Sequence, residues 1–469
     1  MFKKLLIATR GEIALRVIMV CRELGIETVA VYSDEDENSP HLRFAHDRIR
    51  IGPPQNADSY LNMPVLITAA ETSGVDAIYP GYGFLSETSY FAEVCEARQI
   101  VFIGPKLGVA RLFGDKTRAR RVMRDAGLPI LPGSDGPVDS AAGAIPIADA
   151  IGYPVVIKPV VGAGGRGIRV VRAAAEMADA FQSAQREAAD AFGNGDVYVE
   201  KYLENPRHIE FQIIADHQGS IVHLGERDCS IQRDHQRLLE EALSPALTDD
   251  VRRRVGSLAV SAARAVQYTN AGTFEFLMDA DGTFYYLETN SCLRVEHAVT
   301  EAITDVDIVK EQIRIAAGEP LSIRQDDVKF TGHAIECRVT AEDPETFVPS
   351  HGAIEAFHVV AGPGVRVDSL AYGGCAISPH YDSLIAKIIA HGHDRREAIA
   401  RMRRTLEMVV VEGITTSLPL HLKILNEPDF LAGNATTSFM DRFVKRDPSG
   451  STEAHRRQPE RQVPAPAGE

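Results

Sequence analysis

The sequence predicts a multidomain protein, α/β at its N-terminal end and α+β beyond it, on three observations. Apolar runs alternate with helical patterns over residues 1–112, β-rich hairpins take over from about residue 131, and a further strand-rich region follows residue 326. A chain of 469 residues accommodates about three domains of ordinary size.

The elements follow in order. KKLLIA (3–8) reads as a buried strand, and Gly11 to Gly25 as a helix closed by glycine. The short run LLIA is interrupted by Thr9, Arg10 and Glu12, so the opening is expected to be a strand and not a signal peptide. TVAVYS (28–33) is a second strand; LITAAETSG, AIYP, a helix and IVFIGP continue a unit with a parallel sheet. Residues 113–130 carry a helical pattern ending near Gly127 and Pro129. PVVIKPV, GIRVV, VYVEKYL, HIEFQIIAD and GSIVHLGERD then read as hairpin strands. From residue 249, DDVRRRVGSLAVSAARAV reads as a helix leading to the strands TFEFLMD and TFYYLETN, joined through the tight-turn pair Asp281-Gly282. Residues 446–469 are polar and proline-rich, the composition of a disordered tail.

Composition narrows the function. Hydrophobic residues make up 45% and charged residues 25%, enough apolar material for several cores. A net charge of -15 argues against coating nucleic acid, whose phosphates need clustered Lys and Arg. No apolar run approaches the roughly 20 residues of a membrane helix. Six cysteines (21, 95, 229, 292, 337, 375) without a CxxC pair fit a reducing cytoplasm, with neither a disulfide frame nor a zinc site.

Three patterns carry chemistry. KPVVGAGGRG (158–167) matches GxGxxG, but it leads into the strand IRVV where a dinucleotide motif must open a helix. It reads as a glycine flap whose backbone N–H groups cover phosphates, with Lys158 and Lys116 neutralising their charge. Glu275 and Glu288 interrupt apolar strands, where an unpaired carboxylate is costly. With Asn290 they suit octahedral oxygen ligation of Mg²⁺; a buried ion pair with Arg or Lys is the alternative. Finally, if the strand runs on, residues 288, 290, 292, 294 and 296 share one face, reading Glu, Asn, Cys, Arg, Glu.

The motifs ATRGEIALRV, YPGYGFLSE, FIGP, GDK, EKYLENPRHIEFQ, ERDCSIQRDHQRLLEEA, AGTFEFL, RVEHAVTE, GHAIECRVTAEDP and YDSLIAKII resemble biotin carboxylase, nearly collinearly from about residue 2 to residue 445. The resemblance implies a pre-ATP-grasp α/β domain (1–112), an ATP-grasp domain (113–325) with a mobile lid (about 131–203), and a biotin carboxylase C-terminal domain (326–445). It also implies a homodimer using ATP and Mg²⁺ (or Mn²⁺). Biotin would arrive on a separate carrier protein, since the chain has no Ala-Met-Lys-Met motif, and a carboxyltransferase subunit would follow. By the same resemblance, Lys116, Lys158, Gly164, Gly165, Glu200, Lys201, Leu203, His208, Gln232, His235 and Leu277 contact ATP. Glu275, Glu288 and Asn290 bind metal, Glu296 is the base that deprotonates bicarbonate, and Arg338 stabilises the biotin enolate, with Tyr82 and Gly83 near the ureido ring.

The chain departs from the family in one place above all. Where the family reads TRIQVEHPVTE, this chain has SCLRVEHAVTE, so Cys292 and Arg294 replace the arginine and glutamine that hold bicarbonate. The lysine after HQ, a third bicarbonate contact, is Arg237, and Val161 and Ala163 stand among the lid glycines, implying a stiffer lid. Two residues along a strand move a side chain by roughly 6.5 Å, so Arg294 offers a partial replacement for the missing arginine. Alternatives to a biotin carboxylase with a rearranged donor pocket are an ATP-grasp ligase for another acceptor or carboxylate, and a non-catalytic subunit. Cys292 itself reads as a small hydrophobe and not a nucleophile.

Overall fold

Strands apolar on both faces need cover on both sides, and the opening residues show the consequence: Leu5, Leu6 and Ile7 are fully buried. The computed structural model describes residues 1–162, 165–234 and 236–443; the expected tail of 446–469 lies outside them. Strand Lys4–Ile7 sits at the centre of a five-stranded parallel sheet, flanked by Glu27–Ser33 and Asp47–Gly52 on one side and Ala77–Tyr79 and Val101–Phe102 on the other. Chain order therefore reverses between Lys4–Ile7 and Ala77–Tyr79, and open α/β sheets bind ligands beyond the carboxyl ends at such a point. Tyr82, Gly83 and Glu87 follow Tyr79 there.

The second sheet has eight strands, all antiparallel: Phe284–Asn290, Asn270–Met278, Arg207–Ala215, Ile221–Arg233, Gln236–Ala242, His333–Thr340, Leu384–Gly392 and Val365–Ser369. It runs without a break past residue 326, because Gln236–Ala242 pairs with His333–Thr340. Alternation along Arg207–Ala215 sorts its side chains. Ile209, Phe211 and Ile213 enter an apolar cluster with Val255, Ala259 and Ala262 of helix Asp249–Ala265. His208, Glu210 and Gln212 point the other way and are nevertheless buried. Among the described residues no helix is long and apolar enough to cross a membrane.

A smaller antiparallel sheet, Arg169–Val171, Val155–Pro159 and Val197–Lys201, carries helices Ala141–Ile151 and Met177–Phe192. The hairpin reading of this region missed both helices. AAGAIPIADAI is apolar almost throughout, so no periodic face marks it. The helical pattern of 113–130 is helix Lys116–Asp125, capped by the Asp115 side chain, and a separate helix, Leu107–Phe113, precedes it.

Arg227 ties the polar face together. It is fully buried; Nε donates to Glu210, Nη1 to Gln212 and Thr300 (both 2.9 Å), and Nη2 to Thr273 (3.2 Å). Removing one partner of a buried ion pair strands the other. Arg227→Met is expected to cost about 3–5 kcal/mol in urea unfolding, and a loss below about 1 kcal/mol would contradict this account.

Candidate functional site

Segments beyond the carboxyl ends of the parallel sheet, the polar face of the eight-stranded sheet and the smaller sheet line a cleft of about 2940 Å³. Pockets for a single small molecule measure roughly 300–1,000 Å³, so the cleft accommodates a nucleotide and a second reactant together. Its walls include Lys116, Lys158, Gly165, Lys201, Leu203, His208, Gln232 and Leu277, and, on the facing side, Tyr82, Gly83, Arg294 and Arg338. Gly164 and His235 lie outside the described residues, as does Ala163.

On the nucleotide side, Lys158 extends from Val155–Pro159 and pairs with Glu200 of the adjacent strand, which also lies 3.6 Å from Arg120. Lys201 donates to the carbonyls of Gly152 (2.8 Å) and Tyr153 (3.2 Å). The flap keeps glycine where it matters. Gly162 has φ +129, and a Cβ there would meet the Phe192 ring at 2.5 Å. Val161 is not among the residues with positive φ, so the expected stiffening has no basis at that position.

Glu275 and Glu288 face each other directly across the Asn270–Met278 and Phe284–Asn290 ladder. A bulge at Leu287 makes this possible: Phe276 pairs with Tyr286, so Phe284 and Tyr286 enter the core while Glu288 turns to the cleft. Like charges opposite one another repel unless cations intervene. Lys116 lies 3.0 Å from Glu288, and Arg237 and His208 each lie 2.7 Å from Glu275. Lys116 lowers the Glu288 pKa against the effects of burial and Glu275. Burial opposes ionisation of Glu275, yet Arg237 and His208 hold it well below the usual carboxylate range. Asn290 donates its amide N–H to Glu275. The donor set, two ionised carboxylates and an amide oxygen on adjoining strands, fits a hard divalent cation. Both readings of these carboxylates therefore meet here, since each also has a cationic side chain beside it.

On the other side, Arg237 faces three carboxylates: Glu210 (2.9 Å), Glu275 (2.7 Å) and Glu296 (2.7 Å). Glu296 is fully buried and also meets Arg338 (2.8 Å) and, more loosely, Arg294 (3.6 Å). Burial disfavours its charge, but Arg237, Arg338 and Arg294 outweigh burial and keep its pKa well below the ordinary value. Arg338 pairs as well with Glu240, which stands opposite Glu336 across two strands. Burial pushes Glu240 up to about 6 and holds Glu336 well above the ordinary carboxylate range. Tyr82 donates to Glu12, itself 3.1 Å from Lys387.

One sequence expectation fails. The strand stops at Asn290, and a loop leads to helix His297–Thr304, so residues 292, 294 and 296 do not share a strand face. The loop turns back on itself, with the Arg294 carbonyl accepting from the His297 N–H (3.3 Å). Arg294 and Glu296 still meet, but Cys292 turns aside and donates to Glu87 (3.2 Å). Sequence reasoning also missed Glu210, Arg227, Glu240 and Glu336. The argument that singled out Glu275, a carboxylate between apolar neighbours, applies equally to Glu210 in HIEFQ and Glu336 in AIECRV.

Known proteins are similar to this chain along nearly its whole length. Family models described as biotin carboxylase N-terminal domain, carbamoyl-phosphate synthase L chain ATP binding domain and biotin carboxylase C-terminal domain match residues 1–109, 115–324 and 336–442. Biotin carboxylase 1 of Bacillus subtilis is 51% identical over 445 residues, covering 94% of this chain and 99% of that protein. A crystal structure of a biotin carboxylase–beta-gamma-ATP complex from Campylobacter jejuni superposes with a TM-score of 0.93 at 44% identity, covering 94% of this chain and 99% of that one. The biotin carboxylase domain dimer of Hydrogenobacter thermophilus 2-oxoglutarate carboxylase, in complex with MgADP, ADP and bicarbonate, gives 0.92 at 48% identity, over 94% and 98%.

Burial, with Glu87 adding to it, pushes the Cys292 thiol well above its ordinary pKa. The thiolate is the nucleophile, so Cys292 in the native protein should react with iodoacetamide at pH 8 at least about tenfold more slowly than a free cysteine. Timed alkylation followed by peptide mass spectrometry measures this, and labelling as fast as the free thiol would refute it.

Proposed function

The chain belongs to the biotin carboxylase family, and on that premise we propose how its side chains divide the work of carboxylating biotin at the expense of ATP. One observation carries the assignment: residues matching the family's motifs line one cleft, with the lysines for phosphate and the three arginines that surround the buried, ionised Glu296. Comparison brings no support for a non-biotin acceptor.

Lys116 and Lys158 face the phosphates, and Glu200, Lys201, Leu203, His208, Gln232 and Leu277 surround the rest of the nucleotide. Glu275, Glu288 and Asn290 hold Mg²⁺, which shields phosphate charge when bound. Glu296, kept ionised by its arginines, takes the proton of bicarbonate as the bicarbonate oxygen attacks the γ-phosphorus, forming carboxyphosphate while the bond to the bridging oxygen breaks and ADP leaves. Carboxyphosphate breaks down to CO₂ and phosphate, the phosphate takes the N1 proton of biotin, and the fixed positive charge of Arg338 stabilises the resulting enolate oxygen while N1 attacks CO₂. Tyr82 and Gly83, at the switch point of the parallel sheet, form the acceptor's other wall.

Relatives include a biotin carboxylase domain that forms a dimer within a larger carboxylase. For this chain we read a homodimer that receives biotin on a carrier protein and passes carboxybiotin to a carboxyltransferase subunit. The breadth of the cleft supports a macromolecule-borne acceptor.

Release of ADP should depend on bicarbonate and rise with free biotin. Glu288→Gln should fold normally and lose roughly hundredfold or more of that activity, because it removes one of two facing carboxylates without removing volume. Full turnover by this variant would overturn the metal assignment.

A further inference from the structure

One buried acidic pair takes no part in the mechanism: Glu240 and Glu336. They stand opposite each other in the ladder of Gln236–Ala242 and His333–Thr340, and neither is exposed to solvent. Glu240 Oε1 accepts from the Arg338 guanidinium. Glu240 Oε2 and both oxygens of Glu336 are buried with no hydrogen-bond partner among the described residues. Three carboxyl oxygens thus lie in one dry region without a donor.

Their surroundings offer no cation to spare. The charged groups facing Glu336 are Arg338 on its own strand, Glu240, Lys387 on Leu384–Gly392, and Glu296 at the start of helix His297–Thr304. His297 on that helix turns to Glu301 instead, at 3.9 Å. Arg338 Nη2 donates to Glu240 and Glu296, while Lys387 donates to the Val295 carbonyl (3.0 Å) and lies 3.1 Å from Glu12. The remaining side is apolar: Ile389 stands opposite Glu336 and clusters with Ala334, Ala298, Val299 and Ile303. Like charges directly opposite on two strands repel, and a buried carboxylate without a partner is costly. Two carboxyl groups sharing such a site do not both ionise. A single proton relieves all of this, and it belongs on Glu336, because Glu240 is the member whose charge Arg338 stabilises. Burial acts in the same direction, holding Glu336 well above the ordinary carboxylate range.

We infer that Glu336 is a protonated positioning residue for Arg338: its acid O–H donates to Glu240 Oε2, and ionised Glu240 holds the guanidinium through Oε1. The shared proton fixes the plane of the Glu240 carboxylate and leaves one negative charge on that side of Arg338. With Glu336 ionised, a second carboxylate would draw on the guanidinium and offset the charge that meets the biotin enolate. The pair is intact below the raised pKa of Glu336 and is lost as pH rises through it, so activity falls on the alkaline side. The catalytic role of the pair rests on the biotin carboxylase reading given above; the shared proton does not.

Difference infrared spectroscopy of the unaltered protein against Glu336→Gln, in D₂O near neutral pH, tests the proton directly. The unaltered protein should show the carbonyl stretch of a buried carboxylic acid that the variant lacks. ADP release with bicarbonate and free biotin, followed against pH, tests the role. Glu336→Gln, whose amide N–H replaces the acid O–H, should shift the alkaline fall upward by about one pH unit or more. Glu336→Met offers no donor and should lose roughly tenfold in kcat, with the KM for ATP within about twofold, and Glu336→Gln should recover most of that loss. Far-UV circular dichroism and the melting midpoint establish folding; if Glu336→Met is unstable, the infrared band and the pH profile of Glu336→Gln decide alone. A missing carboxylic-acid band, an alkaline limb identical in Glu336→Gln, or equal losses in the two variants would overturn the inference while leaving the function intact. Absence of bicarbonate-dependent ADP release from the unaltered protein would instead overturn the biotin carboxylase reading and the catalytic role with it, and the infrared band would still decide the proton.

Discussion

Charge buried on one face of the eight-stranded sheet is the constraint from which the site follows. Glu210, Glu275 and Glu296 are at most 1% exposed, and no single carboxylate survives such burial ionised without a cation beside it. Arg227 and Arg237 meet that requirement from neighbouring strands, each bridging to Glu210, and Arg338 completes the chain to Glu296. Buried ion pairs of this kind are weak stabilisers, because desolvation offsets most of their attraction. Their value in the proposed mechanism is positional: Glu296, the proposed base, is fixed, ionised and shielded from water before any substrate arrives.

Core packing and chemistry are coupled through the same strands. The bulge at Leu287 sends Phe284 and Tyr286 into the apolar cluster and Glu288 into the cleft. Without the extra residue, alternation along Phe284–Asn290 would bury Glu288 among aromatic rings or expose Tyr286 to the site. Helix Asp249–Ala265 packs against the opposite face of the sheet, so the register holding the acidic pair is set by hydrophobic contacts that never touch substrate.

Much of this was legible in the sequence, and the gaps have physical causes. The parallel unit showed in its apolar runs, the 270–290 hairpin in Asp281-Gly282, and Glu275 and Glu288 by the cost of a carboxylate in an apolar strand. Their partners were not legible, because Arg237 and His208 reach Glu275 across strands and nothing local encodes which cation arrives. Glu87 meets Cys292 across 205 positions of sequence, a contact that exists only once the two sheets are docked. Extending the strand past Asn290 was wrong for the opposite reason. Alternating polarity in 288–296 mimics a strand, but the strand ends at Asn290 and a loop leads to the helix that begins at His297, and polarity alone does not distinguish a strand face from a loop that lines a cleft.

The continuity of the eight-stranded sheet past residue 326 explains how donor and acceptor chemistry stay aligned. Strand His333–Thr340 pairs with Gln236–Ala242 in a fixed register, Leu239 opposite Cys337 and Glu240 opposite Glu336. Arg237 and Arg338 therefore reach Glu296 from two strands of one rigid ladder, at 2.7 and 2.8 Å. Each contact is as strong as the charge on Glu296 makes it. A proton taken up by Glu296 cancels that charge, loosening its hold on Arg338 while Glu240 still anchors the guanidinium from the other side. In the proposed mechanism, the arginine beside the acceptor is thus tied to the protonation state of the base beside the donor through one hydrogen bond.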